Sequence, residues 1–114
     1  MTTDQGHRPL NGGITPADVI AVRDFLHERA EALARAADFH SDAYRIPTAL
    51  QFAIVALVDP LLAALDRHGD SEAVERDIAV HWNHLVTLAG PWEGQPGHDA
   101  ARWREVEAAS PPCA

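Results

Sequence analysis

An all-α fold is what this 114-residue sequence predicts: an antiparallel three-helix bundle with a short fourth C-terminal helix. Three observations carry the prediction. Apolar residues recur at three- and four-residue spacing through three stretches, capping and terminating residues bracket each stretch, and no run of alternating β-branched residues reads as a strand. Helices of about 20 residues are about 30 Å long, and short links between them favour up-down-up packing.

The first helix is expected over 16–38. Thr15 suits the N-cap, Pro16 the first helical position, and Asp18 can reach back in the manner of a capping box. Val19, Val22, Leu26, Ala30, Leu33 and Ala37 then form one stripe, with Asp24, Glu28, Glu31 and Arg35 opposite. The pattern fails from Phe39 to Tyr44, and Pro47 pushes Ile46 toward an extended conformation, so a connection is expected to run to that point. The second helix, about 47–67, carries Leu50, Ala53, Ile54, Leu57, Val58, Leu61, Ala64 and Leu65 on a broad face and reads as the buried, central helix. Pro60 in its interior predicts a kink at a cost of about 3 kcal/mol. His68 and Gly69 mark its end.

Asp70-Ser71 caps a third helix with Glu72 and Glu75 in its first turn. Its inward stripe is Val74, Ile78, Trp82, Leu85 and Ala89, and Gly90-Pro91 stops it. Residues 100–109 read as the short fourth helix, presenting Trp103 and Val106. The expected organisation is a flexible arm over 1–14, one helical domain over 15–109 and a flexible tail over 110–114.

Two segments resemble a family of small uncharacterised actinobacterial and actinophage proteins. One is Phe25-Leu26-His27-Glu28-Arg29 with the alanine-rich run that follows. The other is Leu85-Val86-Thr87-Leu88-Ala89-Gly90-Pro91-Trp92, then Gln95-Pro96-Gly97-His98 and Trp103, similar to a closing Leu-Ala-x-Pro-aromatic, His-Pro-x-Tyr, Trp signature. Gln95 stands where that family has His, His98 where it has Tyr, and Trp103 falls one residue late. The resemblance implies a helical fold and an actinobacterial or phage source, and it brings no activity.

The formal net charge is −8, and all nine basic residues are arginines scattered along the chain, so no nucleic-acid partner is expected. The one cysteine, Cys113, stands next to the C-terminus, which leaves no internal disulfide or thiolate zinc site. No apolar leader opens the chain, and a cytoplasmic location is expected. The stretch 49–65 is short of a membrane span and is broken by Asp59-Pro60, where a mid-membrane Asp costs about 2.5–3.5 kcal/mol, so no membrane partner is expected.

Chemistry has few footholds. His81 and His84, one turn apart, are a candidate metal pair, and His27 with Glu31 is a second helical pair, but a site needs three or four convergent ligands. Ser41, Ser71 and Ser110 sit in links or caps and no nucleophile elbow exists, so no catalytic residue and no cofactor is expected. What stands out is surplus apolar surface: Phe52, Val55 and Leu62 widen the second helix's arc beyond what two neighbours hide. Either the fourth helix and the tryptophans fold over it, or it meets a protein partner or a second copy, with Trp92 and Trp103 as anchors. The function expected is therefore a non-enzymatic protein-interaction module, and the alternative is a metal- or small-ligand-binding bundle using His81 and His84.

Overall fold

A computed structural model describes residues 13–107. Their regular elements are three helices, α1 (Pro16–Arg35), α2 (Asp42–Asp66) and α3 (Glu72–Ala89), followed by a single 3-10 turn (Gly90–Trp92). Most of the expected arm, the 110–114 tail and Cys113 lie outside the described residues. Ile14, expected in the arm, is buried in the core.

At the start of α1 the reciprocal cap forms as its residues suggest. Thr15 Oγ1 accepts from the Asp18 amide at 3.2 Å, and the Thr15 amide donates to Asp18 Oδ2 at 3.0 Å. The helix stops at Arg35, three residues before the expected end. Residues 36–41 are spent on a turn that takes His40 to φ 76° and lets Ser41 Oγ donate to the Asp38 carbonyl at 2.6 Å. Leu33, expected on the inward stripe, is 51% exposed, while Phe25 is buried.

The start of α2 corrects the sequence expectation by five residues, because Pro47 lies inside the helix and not at its head. A proline close to an N-terminus forfeits a single hydrogen bond, to the carbonyl four residues back. Here that residue is Ala43, which is exposed, so water can satisfy the orphaned oxygen. Pro60 is tolerated in the same way, since its deprived partner Ala56 is also exposed. At the other end the Arg67 amide donates to the Ala64 carbonyl at 2.9 Å and the His68 amide to the Leu65 carbonyl at 3.1 Å, and Gly69 adopts φ 92°, the left-handed closure read from the sequence. The Glu75 carboxylate accepts from the Gly69 amide at 2.8 Å and lies 2.9 Å from His68 Nδ1. In α3, Ser71 Oγ accepts from the Val74 amide at 3.2 Å.

Connections of five and six residues join helices that pack on each other, so consecutive helices run in opposite directions. The core between them is aliphatic around one large ring: Trp82 is wholly buried with Leu26, Ile54, Leu61, Ile78 and Leu85. All five residues of the expected α3 stripe are buried. In α2, however, burial is confined to one side, at Pro47, Ile54, Val58 and Leu61. The helix is long and apolar enough to cross a membrane by length and composition, yet only 22% of its most apolar stretch is buried. The expectation of a buried central helix holds for half its circumference.

Residues 100–107 do not form the expected fourth helix; the rest of that expected helix, 108–109, lies outside the described residues. The Asp99 carbonyl accepts from the amides of Arg102 and Trp103 to make a turn, and the chain then runs without helical hydrogen bonds along α3. Side chains of α3 supply the partners that a helix would have provided internally. Trp82 Nε1 donates to the Arg104 carbonyl at 2.8 Å, Asn83 Nδ2 donates to the Val106 carbonyl at 2.8 Å, and Asn83 Oδ1 accepts from the Val106 amide at 2.7 Å. Trp103 and Val106 are buried as a result. Periodicity alone cannot tell such a strap from a short amphipathic helix, because both bury residues three apart.

Replacing Asn83 with alanine leaves both Val106 backbone groups without a partner. The expected outcome is a loss of about 1–3 kcal/mol in urea unfolding, with faster amide exchange at Val106 and unchanged exchange in α1. Equal protection at Val106 in both proteins counts against the strap.

Candidate functional site

The outward half of α2 is the most unusual surface of the molecule. A helical residue advances 100° around the axis, which places Ala49, Phe52, Ala56, Pro60 and Ala63 on the side opposite the buried Ile54 and Val58, with Ile46 and Ala53 along its edge. All seven are exposed, Phe52 by 74% and Ile46 by 68%. From 46 to 65 the only charged side chain is Asp59. An ordinary surface helix carries its charges on this side, so the face combines helical regularity with the composition of an interior. Beside it, an open groove of about 470 Å³ lies between α1 and α2, lined by His27, Glu31, Tyr44, Thr48, Phe52 and Val55 among others.

The five residues expected to form an interaction surface separate into three groups. Phe52 and Val55 are exposed on the α2 face or its edge. Leu62 is half-buried and packs against the core. The tryptophans lie elsewhere: Trp103 is 9% exposed and Trp92 is half-buried, so neither covers α2 and Trp103 cannot anchor a partner. Both pack against Phe25 of α1, with ring centroids 5.2 Å (Trp103) and 6.4 Å (Trp92) away. His98 joins them, 5.7 Å from Phe25 and 4.9 Å from Trp103. Arg29 lies over the Phe25 ring at 5.0 Å and donates to the Pro96 carbonyl. Gly97, at φ 92°, passes so close that a Cβ there would sit 3.4 Å from the Phe25 ring.

These contacts give the two resemblance segments a common physical role. Phe25 and Arg29 come from one, Trp92, Pro96, Gly97, His98 and Trp103 from the other, and they meet as an aromatic clasp that fastens the closing segment to α1. A clasp filled by its own side chains is packing; beside it Phe25 and Gly97 form part of the wall of an open depression whose other lining is Asp24, His27, Glu28 and Glu31.

The histidine pair lacks the convergence that a metal needs. His81 is half-buried, with Nδ1 2.8 Å from the Asp77 carbonyl of its own helix, while His84 is exposed. Among the described residues no group of three His, Cys, Asp or Glu side chains could hold a metal ion. His27 and Glu31 line the α1–α2 groove without a third ligand.

The buried carboxylate of the fold is structural. Asp18 Oδ1 receives both Nε (3.1 Å) and a terminal nitrogen of Arg102, while Oδ2 receives the Thr15 amide. Burial pushes the Asp18 carboxyl up, but the Arg102 hydrogen bonds and charge together with those from Thr15 outweigh it, so its pKa lies below the ordinary value. The pair ties the turn at 99–103 to the head of α1.

Among known proteins, no family model, no curated sequence and no solved structure matches the chain. The surface of α2 must therefore be interpreted from its own chemistry.

Sequence inspection identified Phe52 and Val55 and missed Ile46, whose place before Pro47 suggested a link. A signal was present in the seven-residue spacing of Ala49, Ala56 and Ala63, which lines small residues along one side.

Two measurements follow. Measured on the chain at submicromolar concentration, Phe52→Ser is expected to change unfolding free energy by less than about 0.5 kcal/mol, whereas Leu61→Ala costs about 2–5 kcal/mol; a large effect at Phe52 under those conditions would mean that it is packed within its own chain. The second concerns acid. A carboxyl whose folded pKa is depressed stabilises above its unfolded pKa of about 3.9, and that contribution is lost as pH falls through the folded value. Stability of the native chain should thus fall more steeply below about pH 4 than that of Asp18→Asn, as read by urea midpoints across the acid range.

Proposed function

We propose that this chain is a non-enzymatic helical docking module whose working surface is the outer face of α2. One observation carries the proposal: Phe52, Ile46 and Val55 stand 74%, 68% and 45% exposed on a helix whose outward side from 46 to 63 is otherwise alanine and proline but for Thr48 and the single charge of Asp59. Exposing such side chains wastes hydrophobic free energy that a partner would recover, at about 25 cal/mol for each Å² removed from water. Monomeric proteins seldom leave a regular apolar helix face open without a use for it. Among the described residues no group of three side chains is gathered that could hold a metal ion, and the reading therefore rests on burial.

A photo-reactive phenylalanine analogue in place of Phe52, compared with the same analogue in place of the exposed Asp77 on α3, tests this. Irradiation in a lysate of the source cells is expected to give discrete protein adducts, whether with itself or with another chain, from position 52 only. No adduct from 52, or the same adducts from both positions, overturns the proposal.

A further inference from the structure

We infer that the occupant of the α2 face is a second copy of this chain, its α2 laid antiparallel on the first about a two-fold axis level with Ile54. This rests on the docking role proposed above and names the partner.

Charge selects both partner and direction. The face ends in charges of both signs, Asp42 and Arg45 at its head, Asp66 and Arg67 at its foot, with Asp59 between. In the antiparallel register Arg45 lies level with Ala63 of the second copy, within about one turn of both Asp59 and Asp66 there, and Asp42, level with Asp66, is one residue from Arg67, which stands on the same side of the helix as Asp42 while Asp66 is turned away. Two-fold symmetry repeats each pairing. A parallel pair would set Asp59 on Asp59, Asp66 on Asp66 and Arg45 on Arg45, which like charges oppose.

Size and shape agree with the same register. Phe52 comes level with Ala56 of the second copy and beside Val55, large against small, whereas a parallel pair would oppose Phe52 to itself. Ala49, Ala56 and Ala63 keep the seam thin enough for two helices to approach closely. Phe52, Ile46 and Val55, at 74%, 68% and 45% exposure, together with the exposed alanines between them, give the face apolar area to bury in an interface, for which ~800 Å² per partner is standard. A lipid surface fits less well: the flanks lack a basic excess, and a net charge of −8 is repelled by anionic headgroups.

Sedimentation equilibrium of the full chain, with reductant present to keep Cys113 reduced, tests the inference. Mass is expected to rise from 12.4 kDa to twice that, with a micromolar Kd, and Phe52→Glu is expected to stay monomeric with unchanged helical circular dichroism. Arg45→Glu alone, and the Asp59→Arg, Asp66→Arg double variant alone, should each weaken the dimer about ten-fold. Their equimolar mixture should recover the native Kd within about three-fold, because every end of the mixed pair is again complementary. Lack of recovery overturns the antiparallel register. A chain that is monomeric throughout, including one that floats with anionic phospholipid vesicles, overturns the self-pairing. If the photo-probe at position 52 still captures a different protein, the docking role survives that failure; if it captures nothing, both fall.

Discussion

Water is excluded from one seam, where Leu26 of α1, Ile54 and Leu61 of α2, and Ile78, Trp82 and Leu85 of α3 meet, and the rest of the structure is arranged around that exclusion. Trp82 fills the seam with its ring, and its indole N–H, which has no partner inside an aliphatic core, reaches the Arg104 carbonyl. One side chain thereby supplies the core with bulk and fixes the path of the closing segment. Asn83, the next residue, completes the attachment through both ends of its amide.

The same geometry explains why α2 is half bare. A helix flanked by two neighbours can hide only the arc that faces them, and the closing segment, the one further piece of chain available among the described residues, is committed to the other side of the molecule. It is held there by the Phe25 clasp and by the Asp18–Arg102 pair. The α2 face is therefore open because the chain has been used elsewhere, and its apolar composition is not needed for the fold it belongs to.

Legibility in the sequence followed how local each physical signal is. The capping box at Thr15 and Asp18, the Ser71 cap and the Gly69 closure depend on residues within one turn of each other, and all three were readable. The inward stripe of α3 was equally so, since its period is set by the helix itself. Pro47 misled because a proline's meaning depends on which carbonyl it deprives and whether water reaches that carbonyl, a property of the folded surface. The closing segment misled for a related reason: its backbone partners are side chains of Trp82 and Asn83, about twenty residues away, which no local pattern announces. As for the site, Phe52 and Val55 were visible as surplus hydrophobicity, while the placing of Trp92 and Trp103 on α1 instead of over α2 required the tertiary structure.

Two opposed electrostatic scales bear on any association of this chain with itself. At long range, two bodies of net charge −8 repel, which keeps the free chain dispersed and discourages indiscriminate hydrophobic contact. At physiological ionic strength that repulsion is damped beyond about 8 Å, whereas charges across a helix–helix seam lie closer than this and act with much less screening. The contact is then decided by the few charges on the face itself, where Arg45 and Arg67 offset all but one of the charges of Asp42, Asp59 and Asp66. In the proposed dimer an acidic surface with an apolar, charge-bracketed helix face would therefore be selective, resisting casual contacts and favouring a reciprocal pattern, of which an antiparallel copy of the same helix is the simplest example.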